Sequence, residues 1–150
     1  MAAEYLANGL QSISLNTPIE FTASIPCARG NVIHENGTGI FILKGNTNQC
    51  FATYEVTYNG NIAVTEGGTV TPIAVAIVVN GEPRLTSRAI STPAAAEQFN
   101  NVTSSATIKV PKGCCFTLAV EYVSGITDDT TTPTAVIDQI NGNLKINRIA

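Results

Sequence analysis

The feature of this sequence that most constrains its fold is a pair of apolar runs joined by Asn80-Gly81. The first run, Pro72 to Val79, is continuously apolar and rich in β-branched side chains, whereas the second, Pro83 to Ile90, alternates between polar and apolar residues. An Asn-Gly pair between such runs indicates a β-hairpin, because both central residues of a type I′ turn need a positive φ. A strand that is apolar on both faces is typical of the middle of a sandwich, so we expect the first run to be buried there.

The rest of the chain repeats this pattern of short strands and Gly/Asn turns. Alternation of apolar and polar residues predicts strands at Ile19 to Ile25, Cys50 to Tyr58 and Cys114 to Val123. We expect Asn59-Gly60 to end the second of these strands and Asn61 to Thr65 to return as a separate one. Since turn signals recur at regular spacing, the sequence predicts an all-β sandwich or barrel of about eight to ten strands.

Composition limits the classes of partner. Hydrophobic residues make up 44% of the 150 residues and charged residues 13%, with a net charge of −3. So few charges fit a surface covered by copies of the chain or by partners, although a compact β protein rich in Thr, Ser and Asn would have the same composition. The sequence has no basic stripe for nucleic acid and no apolar run long enough to span a membrane. Residues 1–15 lack the basic segment and long apolar block of a secretion signal.

Four cysteines, Cys27, Cys50, Cys114 and Cys115, form no recognised metal or redox motif. There is no C-x-x-C pair, and adjacent residues point to opposite faces of a strand, so Cys114 and Cys115 cannot easily join one metal site. Without an export signal, reduced and buried thiols are the expectation. Cys27 with Cys50 is the one pair that merits a check for a disulfide bridge.

The candidate catalytic groups form no recognised constellation. His34 and Glu35 are neighbours in a short predicted strand, so Glu35 cannot orient His34, which we expect to be a surface or turn residue. Asp128-Asp129 lack the spacing of calcium-binding loops and are expected in a solvated loop. Glu55 and Glu121 would form an acid pair only if their two strands faced each other. The sequence therefore predicts no enzymatic activity, no metal and no cofactor.

Three segments, taken in chain order, resemble one family. They are ENGTGIFILKG at Glu35 to Gly45, IAVAIVVNGEP at Ile73 to Pro83, and SSATIKVPKGCCFTLAVEYVS at Ser104 to Ser124. This order is similar to that of the C1q and tumour-necrosis-factor type of jelly-roll module, and the resemblance covers residues 31–150. The short N-terminus and the closing LKINRIA look most like small structural proteins of bacteriophages, such as head-fibre or auxiliary capsid proteins. Unlike exosporium filaments with the same module, the chain has no collagen-like Gly-X-Y stalk.

The resemblance implies a jelly-roll β-sandwich that forms a homotrimer around an apolar strand face. We expect residues 1–18 to be an N-terminal arm that docks on the major capsid protein or another virion protein, and residues 19–150 to be a single jelly-roll domain. The arm would dock through Tyr5, Leu6 and Leu10. The candidate residues of the trimer interface lie on the long strand and the penultimate strand, and they are Phe51, Tyr54, Tyr58, Phe116, Leu118 and Tyr122. Each of these six has the alternative role of an ordinary core residue.

The function predicted from the resemblance is that of a structural protein on the capsid surface of a virion, made in the host cytoplasm. The alternative is a carbohydrate- or receptor-binding β-sandwich module. That module would bind host surface glycans through the loop Gly125 to Thr134 and an exposed aromatic platform at Tyr54 or Tyr58.

Overall fold

The structure, a computed structural model, describes residues 2–25, 31–127 and 131–149. Within these ranges the chain forms twelve β-strands and a short 3₁₀ turn, Leu85–Ser87. The strands are β1 Ala2–Ala7, β2 Gln11–Ser14, β3 Ala23–Ile25, β4 Val32–His34, β5 Phe41–Lys44, β6 Phe51–Val64, β7 Ile73–Val79, β8 Glu82–Pro83, β9 Ala89–Ser91, β10 Asn100–Pro111, β11 Cys115–Ser124 and β12 Val136–Arg148. No helix in the described ranges is long and apolar enough to cross a membrane.

The strands form two antiparallel sheets that pack face to face around one main core. Sheet I has the order β10-β6-β12-β1-β3, and β2 also pairs with β12. Sheet II has the order β4-β5-β11-β7-β8, and β9 also pairs with β7. The all-β sandwich predicted from the sequence is therefore confirmed. The strands exceed the predicted number because the first fourteen residues supply two of them and the return strand of the central hairpin is split.

The central hairpin has the predicted Asn80-Gly81 turn, but its return strand is not continuous as predicted. All seven residues of β7 are buried, and Asn80 and Gly81 have φ values of 52° and 82°. The return strand is interrupted after β8 because the chain turns away and comes back as β9. The amide of Ile77 then donates to the Ser87 hydroxyl at 3.0 Å, and its carbonyl accepts from the Arg84 amide at 2.8 Å. The 3₁₀ turn thus replaces the missing strand partner of Ile77.

The prediction that Asn59-Gly60 ends a strand is wrong. Strand β6 continues through both residues to Val64, paired with β10 on one side and β12 on the other. Glycine is needed here for packing: a Cβ on Gly60 would lie 2.1 Å from the Tyr58 hydroxyl oxygen. A second Asn-Gly pair, at Asn141, marks an irregularity in the register of β12 rather than its end.

An aromatic cluster fills the core beside β1. The Tyr5 ring contacts Phe41 edge-on with 4.7 Å between centroids, and Phe41 contacts Phe21 at 5.5 Å. His34 stacks on Phe41 at 4.1 Å, and its Nε2 lies 2.9 Å from the Thr38 carbonyl oxygen. The expectation that His34 is a surface or turn residue is therefore wrong, because its ring is half-buried in this cluster.

The predicted boundary between an arm and a domain at Pro18 does not separate two structural units. Strand β1 lies inside sheet I, paired with β12 over six residues and with β3 on its other edge. The segment that follows β2 crosses to sheet II, where the Asn16 amide donates to the Tyr122 carbonyl and the Ile19 amide to the Val120 carbonyl. Residues 2–19 are therefore part of the sandwich.

Candidate interaction surface

Four of the six candidate interface residues lie in the core. Tyr54, Tyr58, Leu118 and Tyr122 have 0% exposure, because the alternation of β6 and β11 turns them toward the facing sheet. As residues of a single chain they have no surface to offer to a second copy. Phe51 is 46% exposed, and Phe116 is partly buried against the core. Only Phe51 and Phe116 therefore remain as candidates for direct contact between copies.

The three buried tyrosines differ in how their hydroxyls are bonded. Tyr54 donates to the Lys44 carbonyl at 2.6 Å, and Tyr122 donates to the Thr134 carbonyl at 2.6 Å. Burial raises the pKa of Tyr122 to about 12, and it raises the pKa of Tyr58 further. The Gln139 side chain lies near the Tyr58 hydroxyl and lowers the pKa of Tyr58, an effect smaller than that of burial. Within the described residues, however, neither the Tyr58 hydroxyl nor Gln139 Nε2 makes a hydrogen bond of good geometry.

This difference predicts opposite effects for the same substitution. Tyr58→Phe removes a buried hydroxyl that makes no hydrogen bond of good geometry, so the free energy of unfolding should stay equal or rise by up to about 1 kcal/mol. Tyr54→Phe and Tyr122→Phe leave buried carbonyls without a donor and should each lower it by about 1–2 kcal/mol. Urea denaturation of the three variants checks this, and an equal loss in all three would contradict the assignment.

The side of sheet I that faces away from the core forms an exposed surface. Over residues 51–61 of β6, 101–109 of β10 and 143–147 of β12, every second residue points to this side, and these residues are exposed or half-buried. We call this the outer face of sheet I. It consists of Phe51, Thr53, Glu55, Thr57, Asn59, Asn61, Asn101, Thr103, Ser105, Thr107, Lys109, Asn143, Lys145 and Asn147. All but four of these are Thr, Ser or Asn, and three of the remaining four, Glu55, Lys109 and Lys145, are charged.

Side-chain hydrogen bonds order the middle of this face. The Asn101 amide donates to the side-chain oxygen of Asn59 at 2.7 Å and to that of Asn61 at 3.3 Å. Asn59 also lies directly opposite Asn143 on β12, so asparagines from three strands meet here. These side chains have further donors and acceptors that can bond to a partner.

One end of the outer face is apolar. Phe51, the first residue of β6, is 46% exposed, and Ile149, just after β12, is 51% exposed. The Ile149 amide donates to the Thr53 carbonyl at 3.0 Å, which holds the end of the chain against the start of β6. Two large apolar side chains therefore stand beside the polar middle of the face.

The two carboxylates considered as a catalytic pair cannot act together. Glu55 is exposed on the outer face of sheet I, whereas Glu121 lies on β11 in sheet II, on the side away from the core. The whole sandwich separates them. Among the described residues there is also no group of three His, Cys, Asp or Glu side chains that could hold a metal ion. Asp128-Asp129 lie outside the described residues.

Partial burial raises the pKa of Glu121 above its ordinary value of 4.5. The folded state therefore binds this proton more tightly than the unfolded chain, and stability is lost as the pH rises through the folded-state pKa. Glu121→Gln should remove this loss, raising the melting temperature at pH 7 by no more than about 3 °C because solvent screens the charge. The gain should shrink toward zero at pH 4, and a gain of equal size at both pH values would contradict this account.

The cysteines of the described ranges are exposed rather than buried. Cys50, Cys114 and Cys115 are free thiols at the surface, so the expectation of buried thiols is wrong for these three. Free cysteines are buried on average, but these three lie at a turn and at strand ends, where the side chain is exposed. Cys27, and with it the possible bridge to Cys50, lies outside the described residues.

An open cleft of about 670 Å³ lies at one end of the sandwich. It is lined by two extended segments, residues 67–71 and 131–135, and the Thr134 amide donates to the Thr71 hydroxyl at 3.1 Å between them. Among the residues that the structure describes, the lining is rich in threonine and has no charged side chain. The part of the loop Gly125 to Thr134 that the structure describes thus contributes to the cleft, but Tyr54 and Tyr58 are buried in the core and cannot form an aromatic platform.

No family model and no curated protein matches the sequence. The structure, however, is similar to solved domains over nearly its whole length. One is the globular domain of zebrafish complement 1qA protein, at 14% identity and a TM-score of 0.64, with 99% of this chain and 97% of that chain covered. Another is Eiger TNF from S. frugiperda, at 14% identity and a TM-score of 0.65, with 100% and 92% covered. Murine APRIL at pH 5.0 matches at 11% identity and a TM-score of 0.57, with 96% and 98% covered.

At these identities the similarity shows the fold alone. The fold is the C1q/TNF-like jelly roll, which confirms the expectation drawn from the three sequence segments. The coverage includes residues 2–18, in agreement with their place inside the sandwich.

Proposed function

We propose that this protein is a non-enzymatic structural protein of a bacteriophage virion, a head-fibre or auxiliary capsid protein that forms a homotrimer on the capsid surface. The resemblance of its sequence segments to such proteins supports the virion context, and the C1q/TNF-like fold supports self-association. The low share of charged residues, 13%, is in keeping with a surface that is covered in an assembly.

The observation that carries the proposal is the outer face of sheet I. Burying a charge in an interface costs much more than burying an amide or hydroxyl that finds a new hydrogen bond. The ten Thr, Ser and Asn side chains of the face can therefore be covered by a second copy at low cost, whereas Glu55, Lys109 and Lys145 would each need a partner of opposite charge. The exposed Phe51 and Ile149 supply apolar anchors of the kind that carry most of the binding energy in interfaces.

Native mass spectrometry at low micromolar concentration tests the trimer. The wild-type protein should have three times the mass of the 15.7 kDa chain. Phe51→Glu places a charge on the proposed interface and should weaken the trimer by at least about 30-fold, so that monomer predominates. The matched control is Leu85→Glu, because Leu85 is 70% exposed but lies on the 3₁₀ turn, outside this face. A monomeric wild type, or equal effects of both substitutions, would overturn the proposal.

Docking on the capsid is proposed for the surface part of the N-terminal segment. Leu10 is 62% exposed and Leu6 is half-buried, whereas Tyr5 is 2% exposed and cannot contact another protein directly. Leu10→Asp should abolish co-sedimentation with capsids while the trimer persists. If the variant still decorates capsids as well as the wild type does, this docking site is wrong.

Carbohydrate or receptor binding is a second candidate function, and the threonine-lined cleft favours it. The hydroxyls and backbone groups of the described lining suit a hydroxyl-rich ligand such as a host surface glycan. A glycan array probed with the wild type and with Thr69→Ala/Thr132→Ala should show binding to neutral glycans that the double variant loses. An array with no wild-type binding would remove this candidate.

A further inference from the structure

Three exposed cysteines, Cys50 and the adjacent pair Cys114 and Cys115, lie at one end of the sandwich although Cys50 is far from the other two in sequence. Cys50 directly precedes β6, and its carbonyl accepts from the Lys112 amide at 2.9 Å. Cys114 follows two residues later in the turn between β10 and β11, and its carbonyl accepts from the Gly45 amide at 2.8 Å. Cys115 begins β11 opposite Lys44. We call this the thiol end of the sandwich.

Packing does not account for the exposure of these side chains. A free cysteine behaves as a small apolar residue and is among the most buried residue types, so its reactivity usually decides why it stands at a surface. Among the described residues, these thiols belong to no cluster of three or more His, Cys, Asp or Glu side chains that could bind a metal ion. An exposed thiol in reach of another thiol is instead a site for disulfide formation.

The thiol end adjoins the proposed trimer contact. Cys50 is the neighbour in sequence of Phe51, which stands at the apolar end of the outer face of sheet I. Cys115, in contrast, belongs to sheet II. Each copy therefore presents one thiol beside the proposed contact surface and two more on the other sheet or the turn that leads to it.

Thiols on two different sides of each copy are suited to cross-linking a ring with threefold symmetry. In a ring of three copies each contact is heterologous, so the surface that one copy offers to its left differs from the one it offers to its right. Three equivalent cross-links then require two different cysteines in each copy. We propose that, in the trimer of the proposed function on which this inference rests, Cys50 of one copy forms a disulfide with Cys114 or Cys115 of the next copy, so that the ring is closed covalently.

The reaction needs an oxidant, and a small disulfide such as oxidised glutathione supplies it. The Cys50 thiolate attacks the small disulfide, forming a mixed disulfide and releasing one small thiol. The thiolate of the neighbouring copy then attacks the Cys50 sulfur of the mixed disulfide and releases the second small thiol. Two protein thiols are oxidised to one disulfide, and one small disulfide is reduced to two thiols that take up the two protons.

The experiment compares purified full-length protein before and after treatment with oxidised glutathione, on non-reducing gels and by intact mass spectrometry. Serine variants are made at Cys50, at Cys114 and Cys115 together, and at Cys27, the fourth cysteine of the chain. Native mass spectrometry of every variant in reducing buffer shows first whether the non-covalent trimer is present. Protein concentration is varied, because thiols held together in an assembly are at an effective concentration about a hundredfold or more above micromolar protein.

We expect a covalent trimer whose yield does not depend on protein concentration. It should be lost in Cys50→Ser and in the Cys114→Ser/Cys115→Ser variant, and kept in Cys27→Ser, while all four proteins remain trimeric in reducing buffer. A non-covalent trimer without cross-links would overturn this inference and leave the proposed function standing. Cross-links that persist in Cys50→Ser, or a disulfide within a single chain that includes Cys50, would also overturn it. A monomer in reducing buffer would overturn both.

Discussion

Replacing Gly45 with alanine should lower the free energy of unfolding by about 3 kcal/mol and the melting temperature by about 6–12 °C. A Cβ at this position would lie 2.1 Å from the Pro111 carbonyl oxygen and 3.1 Å from the Cys114 carbonyl oxygen. These are backbone atoms, so no side chain can rotate away to make room. Relief would require breaking the two hydrogen bonds that join Gly45 to Gly113 and Cys114, which tie β5 to the turn between β10 and β11.

Gly9→Ala is the matched control, since no atom lies within 4 Å of the added Cβ and the backbone is not in the left-handed region. This variant should have a stability within about 0.5 kcal/mol of the wild type. Thermal and urea denaturation of both variants checks the pair. Equal stabilities for the two variants would show that the contact between the β5 end and the turn is looser than the structure has it.

Truncating Tyr5 to alanine should cost about 3–5 kcal/mol, the usual loss for a large aromatic side chain in a core. Tyr5 is 2% exposed and contacts Phe41 and His34 at centroid distances of 4.7 and 5.0 Å. Its strand lies between β12 and β3, so the loss would weaken the inside of sheet I. A residue of a detached docking arm would show no such loss of stability.

Leu10→Ala is the comparison that distinguishes a core residue of the sandwich from an exposed residue of the same N-terminal segment. Leu10 belongs to the same predicted arm but is 62% exposed, so its truncation should change the free energy of unfolding by less than about 0.5 kcal/mol. Urea denaturation of Tyr5→Ala and Leu10→Ala measures the contrast. A Tyr5→Ala protein as stable as the wild type would restore the arm as a unit outside the sandwich.

The elements that could be predicted from the sequence are those fixed by residues close together in the chain. The Asn80-Gly81 hairpin depends on two residues that must have positive φ, and neighbouring apolar runs are enough to recognise it. The same dipeptide at Asn59 has another cause, because Gly60 leaves room for the hydroxyl of Tyr58 within the core. Only the tertiary structure distinguishes the two cases. The place of β1 could not be predicted either, since its partner strand, β12, lies at the other end of the chain.

The alternation of residues along β6 already indicates in the sequence that the candidate interface residues do not share one face. Phe51 stands at an odd position of β6 and Tyr54 and Tyr58 at even ones, so they cannot share a face of one strand. Large apolar side chains are typical of a core as well as of an interface, and four of the six candidates lie in the core. The polar outer face of sheet I gave no such signal, because Thr, Ser and Asn are also the ordinary residues of a solvated strand.

The pairing of β1 with β12 has a consequence for how the protein is made. Sheet I holds β12 between β6 on one side and β1 and β2 on the other, so its middle is missing until residues 136–148 have been synthesised. During translation, β6 and β10 can pair with each other and β1 can pair with the short β3, but β2 has no strand to join until β12 is made. Folding of the sandwich should therefore be a late event, on the millisecond to second scale typical of β-proteins with long-range pairing. Until then the nascent chain exposes Tyr5, Tyr58 and the β7 run together, and this is the stage at which chaperones would bind it.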